Sequence, residues 1–139
     1  MLEAMGDFNA GNYAKAEGSY RDALRRNPRN VDAMERLGIT LIRLQRYEEA
    51  AEPLAQAQES GHGSAAGAVN LGTCYRKLKL YSEALSAFER ALAIDGSQVR
   101  AVRHLVDLYT MANMPDQARN YSARYTELTG DKLDLPERP

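Results

Sequence analysis

The chain has 139 residues, of which 44% are hydrophobic and 27% charged, a composition of folded domains rather than disordered ones. A formal charge of -1 excludes a strongly basic nucleic-acid binder judged on the total, and a single cysteine, Cys74, excludes an internal disulfide. No run reaches the roughly 18 to 20 apolar residues of a membrane helix, and the opening MLEAMGDFNAG lacks the basic start and apolar core of a secretion signal, so a soluble, cytoplasmic chain is expected.

Aromatic residues make up only 7% and there is no Trp, so burial is expected to be distributed along the chain instead of gathered around one bulky centre. The first unit, about residues 1–30, begins only at Met1. Its first helix, carrying Leu2, Met5 and Phe8, is therefore short by about a turn. The stretch NPRN (Asn27 to Asn30) ends this unit with helix-stopping residues. Units 31–64, 65–98 and 99–130 follow, counted from Val31, Ala65 and Val99. Each holds two helical patterns of about a dozen residues joined by a short turn such as KLKL, Lys77 to Leu80. They close on SGHGS (Ser60 to Ser64), IDGSQ (Ile94 to Gln98) and LTGDK (Leu128 to Lys132), all rich in Gly, Ser, Asp or Thr, and residues 131–139 form a tail, DKLDLPERP.

The units are copies of one another at a spacing of 34 residues. Leu37-Gly38 returns as Leu71-Gly72. Ala16, Ala50, Ala84 and Ala118 share one register; Tyr13, Tyr47 and Tyr81 a second; Ala23, Ala57 and Ala91 a third; Tyr20, Leu54 and Phe88 a fourth. The small residues Gly72, Ala84 and Ala91 stand where an isolated helix would carry bulk. They read as a stacking code: Gly72 and Ala84 facing each other within a hairpin, and Ala91 admitting the next hairpin.

These residues resemble the tetratricopeptide repeat, a helix-hairpin family whose signature runs Leu-Gly, Tyr, Ala, aromatic, Ala and a closing Pro. The third unit matches at Leu71, Gly72, Tyr75, Tyr81, Ala84, Phe88 and Ala91, and the second at Leu37, Gly38, Leu41, Tyr47, Ala50, Leu54 and Ala57. The fourth departs: Val106 replaces Gly, Pro115 the turn Tyr, Ser122 the aromatic and Tyr125 the Ala, as befits a cap with no following neighbour. Only Pro28 keeps the closing Pro. The resemblance implies an all-α fold, a right-handed superhelical solenoid of about three and a half to four antiparallel helix hairpins with seven or eight helices. It also implies a non-enzymatic module for protein–protein interaction that needs no cofactor.

In this family one side of each first helix lines a concave groove. The core stripe, by helical periodicity, is Met34, Leu37, Gly38 and Leu41, then Ala68, Leu71, Gly72 and Tyr75. The opposite side reads Asp32, Glu35, Arg36, Ile39, Ile42 and Arg43; Ala66, Val69, Asn70, Thr73, Arg76 and Lys77; Arg100, Arg103, His104, Asp107, Thr110 and Met111. That is six Lys or Arg against three Asp or Glu. A near-neutral chain that concentrates positive charge on one face favours an acidic peptide or a terminal carboxylate as partner. The candidate peptide-binding residues are Arg36, Ile39, Arg43, Asn70, Thr73, Arg76, Lys77, Arg100, Arg103 and His104, with Ile39, Ile42, Val69 and Met111 as apolar anchors. Some family members clamp a peptide's terminal carboxylate with Lys and Asn residues on successive first helices. Asn70, Arg100 and His104 match the second half of that clamp, whereas Glu35 and Ile39 stand where Lys and Asn are needed, so a full clamp is not expected.

Catalytic and metal chemistry find no pattern. His62 and His104 are 42 residues apart without a partner ligand on their own helices, Cys74 flanks the core stripe, and SGHGS lacks the Lys of a phosphate loop. Glu48, Glu49 and Glu83 suit the positive ends of second helices. Two other readings stay open. The chain self-assembles through Leu2, Met5 and Phe8, with the tail in a neighbour's groove, or it is a secretion-type chaperone of bacteria, which uses about three such repeats.

Overall fold

The structure, a computed structural model, describes residues 11–136. Seven helices fill that span: α1 (Tyr13–Arg26), α2 (Val31–Arg43), α3 (Tyr47–Glu59), α4 (Ala65–Lys77), α5 (Tyr81–Ile94), α6 (Val99–Met111) and α7 (Pro115–Thr129). There is no strand among the described residues. The expected short helix with Leu2, Met5 and Phe8 lies outside them.

Helices α2 and α3, α4 and α5, and α6 and α7 pack as hairpins. Each hairpin meets the next through its second helix, α3 against α4 and α5 against α6, and α1 packs on α2. The starts of α2, α4 and α6 fall on Val31, Ala65 and Val99. The boundary residues act through caps: Asn30 accepts from the Ala33 amide at 3.0 Å, and Ser64 accepts from the Gly67 amide at 2.9 Å. Pro115 opens α7, where its missing N–H has no partner to lose.

The turns inside the hairpins repeat as closely as the helices do. Gln45, Lys79 and Asn113 all lie in the left-handed region, at φ of 60°, 61° and 55°. In each turn the next amide reaches back five residues, Arg46 to the Leu41 carbonyl, Leu80 to Tyr75 and Met114 to Tyr109, at 2.8–2.9 Å. This is the Schellman closure of a helix C-terminus, built here without glycine.

Burial is distributed, in two clusters. One joins Ala16 and Tyr20 to Leu37, Leu41, Ala50, Leu54, Leu71 and Cys74. The other joins Ala68 and Val69 to Ala84, Phe88, Ala91, Ala101, Leu105 and Leu108. Tyr20, Leu54 and Phe88, one register of the repeat, are among the largest fully buried side chains. A Cβ on Gly72 would collide with the Phe88 ring, and one on Gly38 with Leu54. In α2 and α4 the small residue of the first helix thus receives the bulky residue of the second.

Arginines on α5 and α7 tie their hairpins to the end of the preceding one. Arg90 of α5 donates to the buried Gln58 side chain at 2.7 Å and to the Gln58 carbonyl at 3.0 Å. Arg124 of α7, in the same register, donates to the Gly96 carbonyl at 3.0 Å.

Candidate functional site

The last turn of α4 places Thr73, Arg76 and Lys77 on one side by their three- and four-residue spacing. With Lys79 and Tyr81 from the turn into α5, and His104 and Met111 from α6, they enclose an open recess of about 460 Å³. A second recess, of about 540 Å³, shares Arg76 and Met111 and continues along α6 past Arg103, Val106, Asp107 and Thr110 to residues 132–135.

His104 holds the boundary between helices. Its ring stacks on Phe88 with centroids 4.4 Å apart and planes 8° from parallel, and its Nδ1 lies 2.9 Å from Arg76 Nη1. Burial first, and then the Arg76 charge, push the His104 pKa down from 6.5 to about 4. The ring is therefore neutral near pH 7, and Nδ1 accepts from the Arg76 guanidinium. The sequence reading set His104 where the family's clamp has a basic residue. A neutral, stacked imidazole brings no charge there and instead orients Arg76. The Arg76 Nη1 also lies 3.4 Å from Asp107, which Arg103 approaches at 3.4 Å.

The six-to-three excess of cations is distributed unevenly. Asp32 accepts from Arg36 at 2.9 Å, and Asp107 is shared by Arg76 and Arg103. Glu35 turns away to the next hairpin, where its carboxylate accepts from the Ser64 amide and hydroxyl at 2.9–3.0 Å. Arg43, Lys77 and Arg100 have no ion-pair partner among the described residues. Lys77 lies 6.0 Å from the Tyr47 ring centroid, at the outer reach of a cation–π contact.

Of the ten candidate residues, Thr73, Arg76, Lys77 and His104 come together in the first recess, and Arg76 and Arg103 line the second. Arg36, Ile39 and Arg43 on α2, Asn70 on α4 and Arg100 on α6 line neither. Arg43 and Arg100 are exposed, and Arg36, Ile39 and Asn70 partly so. Val69, expected as a groove anchor, is corrected to a core residue at 1% exposure. The helical angle misled because α4 is buried on two sides, by α5 and by α3. Met111 is exposed as expected. Lys79 and Tyr81 lie beyond the first-helix positions that the family resemblance assigns to the groove. The signal available was a lysine in the turn just beyond two cations.

Cys74 is fully buried, and burial pushes its thiol up to about 12, so it packs as a small apolar group. Among the described residues no group of His, Cys, Asp and Glu is placed to hold a metal ion, and no helix is long and apolar enough to cross a membrane.

Two family models, each described as tetratricopeptide repeat, match residues 1–65 and 65–98. The chain is a tetratricopeptide repeat protein. No curated protein sequence matches it significantly. Among solved structures, a crystal structure of MamA is similar at a TM-score of 0.85 with 21% identity, over 91% of this chain and 74% of that one. A MamA fragment from Desulfovibrio magneticus RS-1 is similar at 0.81 with 20% identity, over 90% of this chain and 71% of that one. YrrB, described as a tetratricopeptide protein with an unusual peptide-binding site, is similar at 0.83 with 22% identity, over 91% of this chain and 66% of that one. These likenesses establish the helical solenoid, and tetratricopeptide proteins are interaction scaffolds.

Proposed function

We propose that this tetratricopeptide protein is a non-enzymatic adaptor that holds a short acidic segment of a partner protein against α4 and α6. The observation that carries the reading is the first recess, where Arg76, Lys77 and Lys79 converge with no carboxylate in the lining. Tyr81 and Met111, 40% and 57% exposed, stand beside the cations and supply apolar area to desolvate. Charge there steers and orients an acidic segment, while the apolar pair holds it. The peptide-binding site described for YrrB, a protein of similar fold, is consistent with this use of the scaffold.

The test is fluorescence anisotropy with a labelled synthetic peptide repeating Leu-Asp-Glu, at low salt. Lys77→Glu with Lys79→Glu should weaken binding about tenfold, two exposed charges reversed at somewhat under 1 kcal/mol each. Both side chains are exposed, so the fold should be untouched. Equal affinity for the charge-reversed chain would overturn the reading.

A second reading is self-assembly. Leu80, Tyr81, Met111 and Met114 are all exposed, and all belong to or flank the turns of the third and fourth hairpins, an apolar edge open to another copy. Light scattering across a concentration series decides it: a strictly monomeric chain at high concentration removes this reading.

A further inference from the structure

The segment after α7 has an order of its own. Gly130 takes φ +82° and its amide returns to the Thr126 carbonyl at 2.8 Å, ending the helix and turning the chain. The Asp131 amide then donates to the Thr129 hydroxyl at 3.0 Å. From there to Pro136 the chain forms no helix, yet burial alternates: Leu133 and Leu135 are partly buried, while Lys132, Asp134 and Pro136 are exposed. A two-residue period is the mark of an extended strand laid with one face on a surface.

That surface is the groove side of α6. Lys132 to Leu135 line the second recess together with Arg76, Arg103, Val106, Asp107, Thr110 and Met111. The chemistry is matched in kind. Two leucines meet a lining with Val106 and Met111 in it, and the opposite charges of Lys132 and Asp134 stand in a recess that carries both Asp107 and the two arginines. About 540 Å³ of open space remains beside the segment.

We propose that the α6 face is a docking strip for an extended segment in which leucines alternate with charged residues, and that Lys132–Leu135 is its occupant within the same chain. The strip shares Arg76 and Met111 with the cationic recess. A partner segment running across both must displace the chain's own. This competition rests on the acidic-peptide reading; the docking of the segment does not.

The test uses the full chain and its Leu133→Ser, Leu135→Ser variant. Neither leucine belongs to the two cores, so melting should be unchanged. A synthetic peptide DKLDLPERP, titrated to millimolar concentration and followed by NMR, should bind the variant at least fivefold more tightly than the parent. In the parent the tethered copy holds the strip at an effective concentration of order millimolar. Equal binding to both chains, or binding to neither, overturns the docking. A parent that dimerises with concentration while the variant stays monomeric also overturns it, placing the segment in a second copy. The labelled Leu-Asp-Glu peptide should likewise gain severalfold affinity for the variant. If that peptide binds neither chain while DKLDLPERP still prefers the variant, the docking stands and the acidic-peptide reading falls.

Discussion

A methyl group on Gly72 would sit 2.6 Å from Cε1 of Phe88, so the ring of the second helix rests on bare backbone of the first. The ring cannot retreat, because Phe88 is fully buried and His104 of the next hairpin is stacked on it. Gly72→Ala should therefore destabilise by about 1 to 3 kcal/mol through overpacking, and melting followed by circular dichroism checks it. Gly38→Ala, whose added methyl would meet the Leu54 side chain, should destabilise to a similar degree. An unchanged melting temperature for Gly72→Ala would refute the packing assignment.

The three left-handed turn residues are open to improvement. Gln45→Gly should stabilise by about 0.5 to 1 kcal/mol, since relief of the Cβ strain exceeds the added chain entropy of glycine. Lys79→Gly should gain similarly in stability but lose affinity for the acidic peptide, because its ammonium lines the cationic recess. Urea midpoints and anisotropy separate the two effects.

His104 makes the fold sensitive to mild acid. Its folded pKa of about 4 lies below the ordinary 6.5, so between those values the unfolded chain binds more protons. Stability is complete above pH 6.5 and falls as pH drops toward 4. The linkage ceiling is about 3 kcal/mol, and solvent screening of the partly exposed ring leaves about half of that. Denaturation midpoints between pH 7 and 5 should decline for the parent. They should stay flat in that window for His104→Phe, which keeps the stack on Phe88.

The repeat made the fold legible. Four registers at a fixed spacing announced which residues meet, and helix starts at 31, 65 and 99 follow from the caps and breakers between them. What the registers did not show was the partner of each small residue. Gly38 and Gly72 receive Leu54 and Phe88, the large residues of the facing helices, as close packing at constant volume allows. In the fourth hairpin the Gly and aromatic registers hold Val106 and Ser122, and Val106 is buried.

The candidate site was legible only in part. Helix periodicity put Thr73, Arg76 and Lys77 on one side, and the structure gathers them. It did not show that Arg76 reaches Asp107 of the next hairpin, that Glu35 is engaged at Ser64, or that His104 is neutral. Those facts depend on contacts between hairpins some 28 to 31 residues apart, and on burial, which shifts a pKa without leaving a pattern in sequence.

The most direct measurement for the central claim is a map of where an acidic segment lands. Amide shifts recorded by NMR on adding the labelled Leu-Asp-Glu peptide should concentrate on Thr73 to Tyr81 and on the α6 residues His104 to Met111. Shifts confined to α3 and the outer face of α5, or no shifts at peptide concentrations that saturate the anisotropy signal, would contradict the assignment of α4 and α6 as the binding face.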